Sequence, residues 1–329
     1  MRKILSFLVL SILLLSGCTN NVENPTYVPS PYNLQVPQGF PEMTIPEDNP
    51  LTIEGVALGR KLYYDKKLDK DGDRACATCH LQNKSFTSDP DVLPHINLGW
   101  SHNYLWNGEV SGTVEDIMHF EVVEFFQTDV HVLNTDEEYP TLFNQAFGVE
   151  IISTNDVVKA LAQFFRIMNS GNSKFDKFLR NEAEFTNQEY LGYELFYTER
   201  GDCFHCHATM FMTDNLMHNN ALDANPDPGY FAVTGDSLDY GKFKSSTLRN
   251  IEFTGPYMHN GSYATLEDVV EFYSSGLKKS PTVDPLMKNL SAGGVQLNAE
   301  EKAALVAFLK TLSDTDFLTN PELSDPGLK

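Results

Sequence analysis

The hydrophobic positions of this chain predict helices, and they predict them twice in the same order. Leu58-Gly59-Arg60-Lys61-Leu62-Tyr63-Tyr64 and Leu191-Gly192-Tyr193-Glu194-Leu195-Phe196-Tyr197 share one amphipathic register. Thr186 and Glu189 precede the second at the spacing of a capping box, in which each side chain satisfies the other's backbone N–H. Further on, "NGEVSGTVEDI" from Asn107 matches "NGSYATLEDV" from Asn260, with one extra residue in the first copy. Each passes from an Asn-Gly turn into Thr-x-x-Asp, a helix start. Ala160-Leu161 with Phe164-Phe165 is mirrored by Ala304-Leu305 with Phe308-Leu309, the latter in a helix capped by Asn298 with Glu301. Asn220 to Ser246 is dense in turn residues and reads as a long ordered connection. The repeat predicts two tandem, mostly helical domains with little sheet, at 51–180 and 181–318, and a tail at 319–329.

A different pattern opens the chain. In "MRKILSFLVLSILLLSGC", Arg2 and Lys3 precede an unbroken apolar run that is too short to span a bilayer and ends on Gly17-Cys18. Residues 1–17 read as a lipoprotein signal peptide, which makes Cys18 the lipidated first residue of an exported protein. Residues 18–50, rich in Pro and Asn, read as a semi-extended tether. The expected location is the periplasmic side of a bacterial membrane, with the outer membrane preferred because Thr19 is not an aspartate. A net charge of −21 disfavours nucleic acid and favours a basic partner.

Cysteine usage narrows the chemistry. Of five cysteines, Cys18 belongs to the lipidation site, and the other four form "CATCH" at 76–80 and "CFHCH" at 203–207, leaving none for a structural disulfide. A redox dithiol does not require the following histidine, and two zinc half-sites on an exported chain would be unusual. Covalent haem c requires that set: Cys76 and Cys79, or Cys203 and Cys206, for thioether bonds, and His80 or His207 as iron ligand. Two haem c groups are therefore expected. His205 falls at a haem edge without a role.

The repeats then diverge at one position. Met258 stands two residues before Asn260, and Leu105 stands two before Asn107. A thioether ligates iron and an isobutyl group does not. The second haem thus reads as a closed His207/Met258 electron-transfer centre, and the first as an iron held by His80 and open on its far side.

These residues, with "EGVALGRKLYYD", "NSKFDKFLR", "GKFKSSTLRN" and "PYMHNGSYATLEDVVEFY", resemble the di-haem bacterial cytochrome c peroxidases and the related enzyme that matures methylamine dehydrogenase. The resemblance runs from about Pro41 onward and implies two tandem cytochrome c-like domains, the first with a peroxidatic haem and the second with an electron-transfer haem. It makes Trp106 the tryptophan between the haems. The implied reaction is reduction of hydrogen peroxide to water with electrons from a small cytochrome c or cupredoxin. A non-enzymatic di-haem electron carrier, an oxidase of a protein or small organic substrate, and a peroxide or haem-ligand sensor are the alternatives, and a homodimer is the candidate assembly.

The chain departs from the family pattern where the chemistry should lie. Trp106-Asn107-Gly108-Glu109 replaces Trp-Asp-Gly-Arg, and Ile117 stands where a distal Gln is expected. The loop that normally brings a distal His and an Asn ligand for calcium is cut to a few residues, which makes calcium doubtful. Glu121 and Glu124 are the candidate distal acids, three apart on one face if "HFEVVEFF" is α-helical. His95, His102 and His119 are the candidates to replace the missing ligand.

Overall fold

The structure, a computed structural model, describes residues 27–327; the signal segment 1–17, Cys18 and Thr19 lie outside the described residues. The fold is mostly helical, and the duplication is realised in it. Helix Ile53–Tyr64 packs on helix Thr154–Phe165, and Asn187–Phe196 packs on Ala299–Lys310 in the same way. Glycine sets the closeness of both crossings. A Cβ on Gly59 would lie 2.0 Å from the Ala160 carbonyl oxygen, and one on Gly192 would lie 2.0 Å from that of Ala304. Only a residue without a side chain lets the backbones touch there. The caps fall where the sequence puts them: Thr186 with Glu189, Asn298 with Glu301, Thr113 with Asp116 and Thr265 with Asp268 all form reciprocal boxes.

Among the described residues, sheet is confined to two short antiparallel pairs, Asn103–Tyr104 with Val110–Ser111 and Met217–His218 with Phe243–Lys244. The expected connection at 220–246 carries one of these strands and a short helix, Phe231–Thr234. Among the described residues, no helix is long and apolar enough to cross a membrane.

Two buried apolar clusters mark the domains, one around Leu62, Tyr63, Leu161 and Phe164, the other around Phe196, Ala304, Phe308 and Leu312. Their membership corrects the expected boundaries. Phe175, assigned above to the first domain, packs in the second core, where its ring meets Phe308 at 5.7 Å and its N–H donates to the Thr311 carbonyl. Conversely, Phe317 and Leu323 are buried in the first core. The expected tail at 319–329 is docked through its described residues: Tyr64 Oη donates to the Leu323 carbonyl and Arg60 Nε to that of Ser324, both at 2.6 Å.

The described part of the expected tether is also held down. Asn49 is buried, with its amide donating to Glu115, and Trp100 Nε1 donates to the Pro41 carbonyl. Phe40 packs edge-on against both Trp100 and Phe211, and the Arg249 guanidinium lies 4.9 Å from its ring. Residues 27–50 form a clasp across the two halves rather than a spacer, because their apolar side chains find shelter on the globule. Between the halves, the Asp314 carboxylate accepts from Ser170 Oγ and from the N–H groups of Gly171 and Asn172, while Asn97 exchanges two bonds with Ser170.

Candidate functional site

Each Cys-x-x-Cys-His pentapeptide forms a single helical turn, at Cys76–Cys79 and Phe204–His207. His80 Nδ1 donates to the Phe86 carbonyl at 2.8 Å, and His207 Nδ1 donates to that of Met212 at 2.9 Å. Phe86 and Met212 both have left-handed backbones, at φ 59° and 54°, which is uncommon for bulky side chains and recurs here at equivalent places. The bond fixes the tautomer, with Nδ1 protonated and the lone pair on Nε2 free to ligate metal. Burial keeps both rings neutral: it pushes His80 down to about 4 against the carbonyl bond that favours charge, and it lowers His207 likewise.

Each pentapeptide opens on its own cavity. The first, about 1650 Å³ including its mouth, is lined by Cys76, Cys79, His80, Leu105, Glu121 and Phe165. The second, about 1790 Å³, is lined by Cys203, Cys206, His207, Met258 and Tyr273. Both fit a macrocycle bound by two thiols and one imidazole. Burial raises the Cys203 thiol to about 12 and the Cys76 thiol well above its usual value. Among the described residues, no metal-capable cluster contains His80 or His207; the two such groups are Cys206 with Asp214 and His218, and Glu199 with Asp202 and His205.

The two cavities are alike in construction and differ in chemistry. Asn97 and Asn250 both have φ 57° and each opens a short 3₁₀ turn. Eight residues after each, the chain turns left-handed again, at Leu105 with φ 61° and at Met258 with φ 70°. The pairing of Leu105 with Met258 therefore holds in three dimensions. Asn220 Nδ2, 3.6 Å from the Met258 sulfur, also donates to Tyr273 Oη at 3.1 Å and orients that thioether. Sequence reasoning passed over Asn220, since nothing local ties it to a methionine 38 residues later.

The candidate acids separate. Helix Val114–Phe120 runs into a π turn, Glu121–Phe125, closed by Phe126 N–H on the Glu121 carbonyl at 2.8 Å. Positions three apart share a face in an α-helix but diverge in the wider π turn. Glu121 lines the first cavity, where burial raises its carboxyl to about 7. Glu124 is exposed and outside the cavity, which corrects its candidacy.

The candidate histidines do not reach the open side. His95 lies flat on His80, ring centroids 3.4 Å apart, and its backbone N–H donates to the same Phe86 carbonyl that holds His80. It is thus beside the expected ligand rather than across from it, in the place that Leu248 takes in the second half with its N–H on the Met212 carbonyl. His102 and His119 are exposed and outside both cavities. Glu109 is exposed, its N–H donating to Asn107 Oδ1 in a tight turn. His205 lies tilted against the Phe204 ring and close to Lys288, beside the second cavity.

Trp106 lines both cavities, its indole N–H donating to the Pro90 carbonyl at 2.7 Å. Also common to both are Val92, Pro94, Lys244, Ser246 and Thr247.

Comparison with known proteins matches residues 53–184 to the di-haem cytochrome c peroxidase family. Over 84% of its length the chain is 32% identical to 84% of the methylamine utilization protein MauG of Methylorubrum extorquens. It is 28% identical to the cytochrome c551 peroxidase of Nitrosomonas europaea, over 80% of this chain and 81% of that one. Among solved structures, a MauG-like protein associated with microbial copper homeostasis superposes with a TM-score of 0.81 at 32% identity, over 90% of this chain and 99% of the other. The di-haem peroxidase BthA of Burkholderia thailandensis, at 17% identity and a TM-score of 0.67 over 89% and 97%, shares the fold. With two cavities, each bearing the thiols and the neutral imidazole that haem c requires, this chain belongs to the di-haem cytochrome c peroxidase and MauG family.

Proposed function

We propose that the chain reduces hydrogen peroxide in the His80 cavity with electrons that enter through the Met258 cavity from a small cytochrome c or cupredoxin. The observation that carries this reading is one asymmetry between two sites built on the same frame: a thioether at Met258 and an isobutyl group at Leu105, on the same left-handed backbone. Haem c bound at both places supplies the iron, the storage of two reducing equivalents and, where no second side chain ligates, a site for peroxide.

The chain's own residues supply the rest. The Phe86 carbonyl orients His80 and strengthens it as a ligand. Glu121, titrating near neutral pH, takes a proton from one peroxide oxygen and returns it to the other, so that H2O2, two electrons and two protons give two waters. Trp106, fixed by Pro90 between the cavities, lies on the path for electrons. The excess of acidic residues favours a basic electron donor. A lipid on Cys18, facing an oxidising compartment outside the cytoplasm, belongs to the same proposal; Cys18→Ala should release the protein from membranes.

A second reading is favoured by the 32% identity to MauG and to a MauG-like protein: the electrons come from a protein or small organic substrate that is thereby oxidised. Stopped-flow mixing of the reduced protein with peroxide separates the possibilities. Oxidation at a rate proportional to peroxide, sustained by a reduced small cytochrome, supports the peroxidase. Peroxide consumption that a cytochrome cannot sustain supports the substrate oxidase. Absence of reaction supports a simple electron carrier.

A further inference from the structure

Buried cations in this fold come with carboxylates. Arg166 forks onto Glu115 at 2.7 and 2.6 Å, and Arg249 forks onto Asp176 with both bonds at 2.9 Å. Lys244 is the exception. It is 9% exposed and takes part in no salt bridge among the described residues. Its Nζ has one acceptor, Asn215 Oδ1, although an ammonium carries three donors. Burial pushes the amine down to about 8 against the pull of the Asp214 carboxylate, which His218 already holds at 2.7 Å. A charge taken out of water requires a partner, and no carboxylate among the described residues makes contact with this one.

The position of Lys244 says where the partner lies. Its N–H donates to the Trp106 carbonyl at 2.9 Å, and its strand pairs with Met217. Asn215 is itself braced from the first half, accepting from Ser101 Oγ at Oδ1 and from Asn103 Nδ2 at its carbonyl, each at 2.8 Å. Among the described residues, Lys244 is the only Lys or Arg lining the second cavity, which also carries Asp89, Asp202 and Asp284, the last paired with His218. It lines the first cavity too, and among those residues no other charged side chain is common to both. The cofactors implied for these cavities are anionic at one edge, since each haem carries propionate carboxylates.

We propose that Lys244 is a counter-cation shared by the two haems, its ammonium pairing with propionate carboxylates from both cavities and coupling their redox equilibria. The proposal rests on the di-haem reading and assigns to a side chain a role that a bound divalent cation would otherwise fill. A positive charge beside a redox centre favours the reduced, less positive state. Removing it should therefore lower the potentials of both centres together.

The test is a spectroelectrochemical titration of haem-loaded Lys244→Met, after mass spectrometry has counted the haems. Both reduction equilibria should fall at least about tenfold, a shift of about 59 mV for a one-electron couple. Lys244→Arg should restore them in large part. Asn215→Asp, which keeps the amine and gives it an internal carboxylate, should lower both in the same direction and serves if Lys244→Met does not mature. Chelator should leave the wild-type potentials unchanged. Unchanged potentials in the variants, a shift in one haem alone, or a chelator effect equal to the mutation would each overturn the proposal. Wild-type protein that matures with fewer than two haems would instead overturn the di-haem reading beneath it.

Discussion

The two halves of this molecule repeat one another down to backbone angles, and they part at the side chains that face the iron sites. The shared elements are structural: a glycine at the helix crossing, a left-handed residue whose carbonyl holds the histidine, an Asn-led turn and a Thr/Asp cap. The differences are chemical: Leu105 for Met258, His95 for Leu248, and a π turn bearing Glu121 with no counterpart in the second half. Duplication thus preserved the frame that positions a haem, while the side chains facing the two cavities diverged.

The strongest way to break this comparison is to make the cavities alike. Leu105→Met places a thioether at a position whose backbone already suits methionine and should close the first site, taking peroxide reactivity to background. The reverse change, Met258→Leu, should remove the near-infrared sulfur-to-iron band of the second site and lower its potential; paired optical spectra of the two variants check both. Next in size is the acid. Glu121→Gln should slow the peroxide reaction about 10²-fold or more. Because burial raises this carboxyl to about 7, the fraction able to accept a proton grows as pH rises through that value. The wild-type rate should climb across pH 6–8, and the variant's rate should stay flat. Glu124→Gln, outside the cavity, should behave as wild type in the same stopped-flow series.

The smaller effects test likeness instead. Gly59→Ala and Gly192→Ala each force a Cβ into a carbonyl 2.0 Å away and should destabilise by at least about 1–3 kcal/mol, alike in the two halves, as read from denaturant unfolding. Smallest are the caps: Thr113→Ala and Thr265→Ala should each cost about 1 kcal/mol. A large inequality within either pair would show that the halves carry unequal shares of the fold's stability.

Much of this was legible in the sequence because it is carried by local patterns. Haem anchors, caps and the Leu105/Met258 substitution lie within short stretches that can be laid over one another. What escaped depends on distance or winding. Glu121 and Glu124 look equivalent until a π turn separates them, and π turns have no simple residue signature. His95 reads as a spare ligand until the shared Phe86 carbonyl places it beside His80. Asn220 and Lys244 act across contacts that only the folded chain brings together. The boundary at 180 misassigned Phe175 because the repeat marks where motifs recur, not where side chains are buried.

The docking of Phe317 and Leu323 into the first core means that neither half is a separable stretch of polypeptide. The chain leaves its first domain, builds the second, and returns to finish the first, much as a strap is threaded back through its own buckle. Scission at residue 180 would give an amino-terminal fragment with two vacant seats in its interior and a carboxy-terminal one without Phe175, Asp176 and their neighbours. The first haem domain could not be completed until Phe317 and Leu323 were available to it. Maturation of the amino-terminal site would then be coupled to synthesis at least as far as Leu323.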